Sequence, residues 1–192
     1  MKKFQMVLVI LGVLLAFGTF TMAIADVDTQ AAPTGYFVPT DAQKWDDGYW
    51  RWYDEDWGWT HNALTVNTSA TLMIASFDID YSSGEVDNIY VKDEGSWVYI
   101  GCLTGSSSSW SYNTFTLGAQ FFNEIVAGLE VWMDIDSTHT SDHWAVTLSK
   151  SVLQTDGTGT IPDPDPGQVP EPATMLLLGF GLAGLATLRK KF

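Results

Sequence analysis

One cysteine, Cys102, stands in 192 residues, so no internal disulfide framework can form. It lies in the apolar run SWVYIGCL and reads as a buried small hydrophobe. Basic residues are scarce: between residues 26 and 168 only Lys44, Arg51, Lys92 and Lys150 face 22 acids. Such a surface repels nucleic acid and anionic membrane, and it suits cations, neutral glycans or basic partners. Catalytic signatures are missing too. There is no G-x-S-x-G, and His139 and His143, four apart around TSD, lack the glutamate of H-E-x-x-H. Carboxylate pairs for glycosidic cleavage can be drawn anywhere among so many acids, so they mark no site. The chain reads as non-enzymatic, and it contains no tandem repeat.

Long apolar runs occur only at the two ends. Lys2 and Lys3 precede an apolar stretch from Phe4 to about Phe20, and Ala23-Ile24-Ala25 supplies small residues for cleavage before Asp26. Residues 1–25 are therefore expected to be a Sec-type signal peptide. At the other end, Ala173 to Leu188 is apolar and is followed by Arg189, Lys190 and Lys191. The run is short for a spanning helix of about 20 residues, but with its flanks it can cross a thin bilayer. The basic cluster would stay cytoplasmic and leave residues 26–168 outside.

Val169-Pro170-Glu171-Pro172, then the apolar run, then the basic end, resembles the PEP-CTERM sorting signal of Gram-negative bacteria. The resemblance covers residues 169–192. It implies that exosortase, a membrane enzyme, processes the chain at the Pro-Glu-Pro motif. It implies passage through the inner membrane on the C-terminal helix, then delivery to the cell surface or to an exopolysaccharide and biofilm matrix.

The middle reads as all-β. Candidate strands are ATLMIASFDID (70–80), VDNIYVKDEGSWVYIGCL as a hairpin turning at Asp93-Glu94-Gly95, WSYNTFTL (110–117), GLEVWMDID (128–136) and HWAVTLSKSVL (143–153). AQFFNEIVAG (119–128) reads as a short helix. The expected architecture is a β-sandwich of jelly-roll type over 44–154, after a leader at 26–43 and before a Pro/Gly/Asp spacer at 155–168. The motifs WGWTH (57–61), SATLMIASFDID, GEVD (84–87), WSYNTF, VWMDID and WAVTLSKSVL also resemble a β-sandwich domain common among exported PEP-CTERM proteins. That resemblance implies the fold and carries no enzymatic activity.

Two constellations are candidate sites. Asp-Ile-Asp occurs twice, at Asp78/Asp80 and Asp134/Asp136, and residues two apart in a strand share a face. Like charges so placed call for water or a cation. With Glu85 and Asp87, these acids could supply several of the roughly six to eight oxygens that Ca2+ takes. The EF-hand pattern itself fails in DIDYSSGEVDNI, because Ile89 stands where the closing glutamate belongs. The other constellation is KWDDGYWRWYDEDWGWTH (44–61), with five of the nine tryptophans. Trp57 and Trp59 are expected in the first core strand, and His61 as a structural residue. Trp45, Trp50 and Trp52, set among acids, are the candidates for stacking on sugar rings.

Overall fold

The structure is a computed structural model, and it describes residues 25–138 and 143–157. Nine strands follow one another: β1 (Asp26–Ala31), β2 (Arg51–Trp52), β3 (Trp57–Thr60), β4 (Ala70–Phe77), β5 (Asn88–Asp93), β6 (Ser96–Cys102), β7 (Trp110–Leu117), β8 (Glu130–Asp134) and β9 (Ala145–Thr155). A single helical turn and a short helix, α1 (Phe122–Ala127), fill the β7–β8 connection. Sequence periodicity explains most of these assignments. In β5 and β8 every second residue is apolar and buried, which is the signature of a strand with one face on a core.

The strands form two antiparallel sheets. One runs β1-β9-β4-β7, with β2 pairing to the start of β9; the other runs β3-β8-β5-β6. Leaving β2 aside and counting the β5–β6 hairpin as one step, consecutive strands alternate between the sheets as in a jelly roll, so the expected fold class is the observed one. Leu72, Ile74, Leu148 and Leu153 from one sheet pack against Trp57, Trp59, Ile89, Val131 and Met133 from the other. The β5–β6 hairpin turns on Glu94 and Gly95, both at positive φ, in a two-residue loop.

Three sequence expectations move. Residues 26–43 are not a leader: β1 pairs along its whole length with β9, and Phe37 is a fully buried core residue. Phe37 meets the rings of Trp57 and Trp59 edge-on at 5.1 and 5.6 Å. The segment reads as unstructured because β1 is an edge strand whose acids make tertiary hydrogen bonds. The spacer starts later than residue 155, since Thr155 still belongs to β9 and the Asp156 carboxylate accepts hydrogen bonds from the backbone N–H groups of Asn67, Thr68 and Ser69. These bonds hold Asp156 down at about 2. The rest of the spacer, the signal peptide, His139 and the C-terminal segment lie outside the described residues. Cys102 ends β6 only half-buried.

A buried polar chain ties His61, just after β3, to the neighbouring strands β1 and β9 of the facing sheet. His61 Nδ1 lies 2.8 Å from Asp28 Oδ2, and His61 Nε2 lies 2.9 Å from Ser151 Oγ. The order is that of a Ser-His-Asp triad, yet His61 and Ser151 are both fully buried, so no substrate reaches the hydroxyl. It acts as a structural tie. Burial lowers the His61 pKa against the opposing pull of Asp28, so the imidazole is neutral at pH 7. Burial raises Asp28, but hydrogen bonds from Gln30, Asn62 and His61 prevail and lower it.

His61→Ala is expected to cost about 2–4 kcal/mol in urea unfolding, since it leaves a void and two unpaired groups. Because the folded histidine resists protonation, the stability it contributes is present above about 6.5 and is lost as pH falls below that value. The stability gap between wild type and the variant should therefore narrow as pH falls below about 6.5. Equal slopes in the two proteins would refute the neutral-histidine tie.

Candidate functional site

The two Asp-Ile-Asp motifs do not lie along strand faces. β4 ends at Phe77, and Asp78 turns the chain out of the sheet at φ 66°. β8 ends at Asp134, and Asp136 adopts φ 46°. In both motifs the isoleucine, Ile79 or Ile135, is fully buried, while the acids on either side serve the loops. The like-charge argument for a cation therefore loses its geometric premise.

The six acids gather in two neighbourhoods. Asp78 accepts the Ser108 N–H, and with Asp80 it borders a surface cleft. Burial, then the charge of Asp78, raises the Asp80 carboxyl. Glu85, Asp87 and Asp136 are fully buried beneath the loops at the same end of the sandwich. There, Glu85 accepts the Asp80 N–H, and Asp87 Oδ1 accepts the Asp136 N–H at 3.0 Å. Asp134 adds its charge to that felt by Asp87. Among the described residues, no three His, Cys, Asp or Glu side chains form a group able to hold a metal ion.

Burial, then the charge of Asp87, pushes Glu85 up to about 9. Glu85 is thus a neutral acid at pH 7, close to the Asp87 carboxylate. Burial raises Asp87 as well. The pair fastens the β4–β5 connection to the turn after β8, where Ser137 N–H also donates to Val86 O at 2.8 Å.

The tryptophan-rich segment divides as the sequence suggests. Trp57 and Trp59 point into the core from β3. Residues 41–52 instead cross the outer face of the five-stranded sheet. Phe77 points outward there and is covered: Trp45 meets it edge-on at 4.8 Å, and Trp50 stacks on Trp45 at 5.9 Å. Trp110 Nε1 donates to Asp41 at 2.7 Å and holds this segment down. Trp45 and Trp52 remain about half exposed.

Together these residues shape an open cleft of about 380 Å³. Trp45, Trp50, Trp52 and Trp144 supply aromatic surface, and Asp47, Asp78 and Asp80 supply carboxylates. The structure thus brings the three tryptophans singled out in the sequence beside the first Asp-Ile-Asp motif. Trp144 escapes sequence reading, and His143 stands out only beside His139, because the two residues immediately precede β9 and read as the start of its strand. The paired stacking of His143 on Tyr53, at 4.2 Å, depends on long-range contact.

The Glu85 pair has a pH signature. The folded state keeps a proton between about 4.5 and about 9 that the unfolded chain has lost, so stability declines as pH rises across that interval. Glu85→Gln keeps the shape without the charge and should flatten the decline in urea titrations at pH 6 and pH 9. An undiminished slope in the variant would sink the protonated Glu85.

No curated protein matches the chain. Among solved structures it is similar to the xylan-binding module CBM15, at 10% identity and a TM-score of 0.40, over 70% of this chain and 92% of that chain. Residues 168–191 match the PEP-CTERM protein-sorting motif, so the chain carries the C-terminal signal of an exported, exosortase-processed protein.

Proposed function

We propose that this chain is a non-catalytic surface or matrix protein that holds neutral polysaccharide in the Trp45–Trp50–Trp52 cleft. Exosortase would process it at Val169–Pro172, after transient residence in the inner membrane. The observation that carries the reading is the joining of exposed tryptophans and carboxylates in one open cleft on a rigid sheet. Indole faces stack on the C–H faces of pyranose rings, and carboxylates accept hydrogen bonds from sugar hydroxyls. The acid excess of the domain disfavours anionic polymers and nucleic acid. Delivery by a sorting signal associated with exported polysaccharide supports a role in a biofilm matrix.

Affinity electrophoresis of the full chain in hydroxyethylcellulose and in a soluble β-1,3-glucan tests the cleft. Retardation is expected in at least one polymer. Trp52→Ala should weaken it about tenfold, the loss of one stacking contact near 1.4 kcal/mol. Retention equal to wild type would discard the cleft as the site.

A structural Ca2+ is a second reading, favoured by Asp136 Oδ2, which is buried without a hydrogen-bond partner. With Asp87 nearby, an ion there would draw the rest of its oxygens from backbone carbonyls and water. A melting temperature several degrees higher in excess calcium than in EDTA would support it. Coincident curves would remove it.

A further inference from the structure

The outer face of the four-stranded sheet carries a second aromatic surface. The register sets Gly58, Trp132, Tyr90 and Tyr99 side by side, one from each of β3, β8, β5 and β6. Each lies between inward-pointing core residues, so the row faces solvent. Trp97 stands in the next row, 6.0 Å from Trp132 between ring centres, and Tyr99 lies 5.7 Å from Tyr90. Trp97 and Tyr99 are 44% and 54% exposed. Gly58 keeps the β3 edge open: a Cβ there would meet Val131 O at 2.5 Å and the Trp132 ring at 3.0 Å. The result is a shallow groove of about 260 Å³ between Trp97, Trp132 and Thr60.

Cross-strand aromatic pairs do stabilise sheets, but that need does not explain an aromatic row across three of the four strands of one solvent face. Charge decides the occupant. The Lys92–Glu130 ion pair on this face, at 2.9 Å, neutralises itself. A second copy would bring the same acid excess against itself, and an anionic polymer would be repelled. An uncharged ligand with flat apolar ring faces meets neither penalty.

We propose that Tyr90, Trp97, Tyr99 and Trp132 form a platform that stacks the sugar rings of a neutral polysaccharide. The platform and the tryptophan cleft lie on the outer faces of opposite sheets. If the cleft also binds, as proposed above, the domain is bivalent and joins two polymer chains.

Titration of hydroxyethylcellulose and of the β-1,3-glucan with the full chain, followed by light scattering and by affinity electrophoresis, tests this. Wild type should bind and should raise scattering at substoichiometric protein. The double variant Trp97→Ala, Tyr99→Ala alters exposed side chains and should lower the melting temperature by only a few degrees, the loss of two cross-strand aromatic pairs, while staying folded. It should lose the scattering rise and retain single-site binding through the cleft. The double variant Trp45→Ala, Trp52→Ala should likewise lose scattering but retain platform binding. Binding and scattering unchanged in the platform variant would overturn the proposal, as would loss of all binding in the cleft variant. Scattering without polymer would reassign the face to self-association and overturn it too. Loss of all binding in the platform variant, with the cleft variant unchanged, would keep the platform and discard the cleft alone.

Discussion

β9 makes backbone ladders with three other strands, β1, β2 and β4, and the rest of the molecule is arranged around it. Its inward side chains include Leu148, Leu153 and Ser151, the last held by His61. Its first residues reach the tryptophan cleft through Ala145. One extra residue on β9 near Ala75 and Ser76 shifts its register against β4. This bulge lets the outer face turn toward Phe77, where residues 41–52 lie. The first and last strands of the domain are neighbours, so the sheet closes only when the whole domain is available. Such long-range pairing makes folding slow.

Local pattern made the strand segments legible, because alternation of apolar and polar residues is a property of each strand alone. The WGWTH motif, where the fold resemblance begins, separated Trp57 and Trp59 from Trp45, Trp50 and Trp52, which share the same alternating spacing or lie upstream. Local pattern failed where a residue's role depends on a distant partner. β1 reads as DVDTQA, polar at every second position, and its membership of the sheet follows only from β9 and His61. The Asp-Ile-Asp motifs misled for a related reason. Each looks like the continuation of a strand, but Asp tolerates the left-handed backbone, and both motifs are places where a strand stops. The aromatic row on the four-stranded sheet was hidden by register. Tyr90, Trp97, Tyr99 and Trp132 sit in three separate strands, and nothing in their spacing announces that they share a face.

The acids of this protein fall into three populations. Those at the surface set its charge. Asp28 and Asp156 act as acceptors that close tertiary contacts between the ends of the domain and its loops. Glu85 and Asp87 do the opposite of what their type suggests, since burial keeps one of them protonated. A chain this acidic thus places neutral acid at a structural joint, where a second charge would have forced the loops apart.

The direction of β9 has a mechanical consequence. The strand starts beside the cleft and ends at Thr155, about 33 Å away at the usual rise per residue. Any load entering through residues beyond Gly157 is therefore applied at the far end from the cleft. It acts along β9, parallel to the strand axis. The ladders to β1 and β4 would be sheared together rather than opened one bond at a time. A domain pulled from its C-terminal side would keep its aromatic cleft pointing away from the point of attachment, with the strongest axis of the sheet carrying the tension.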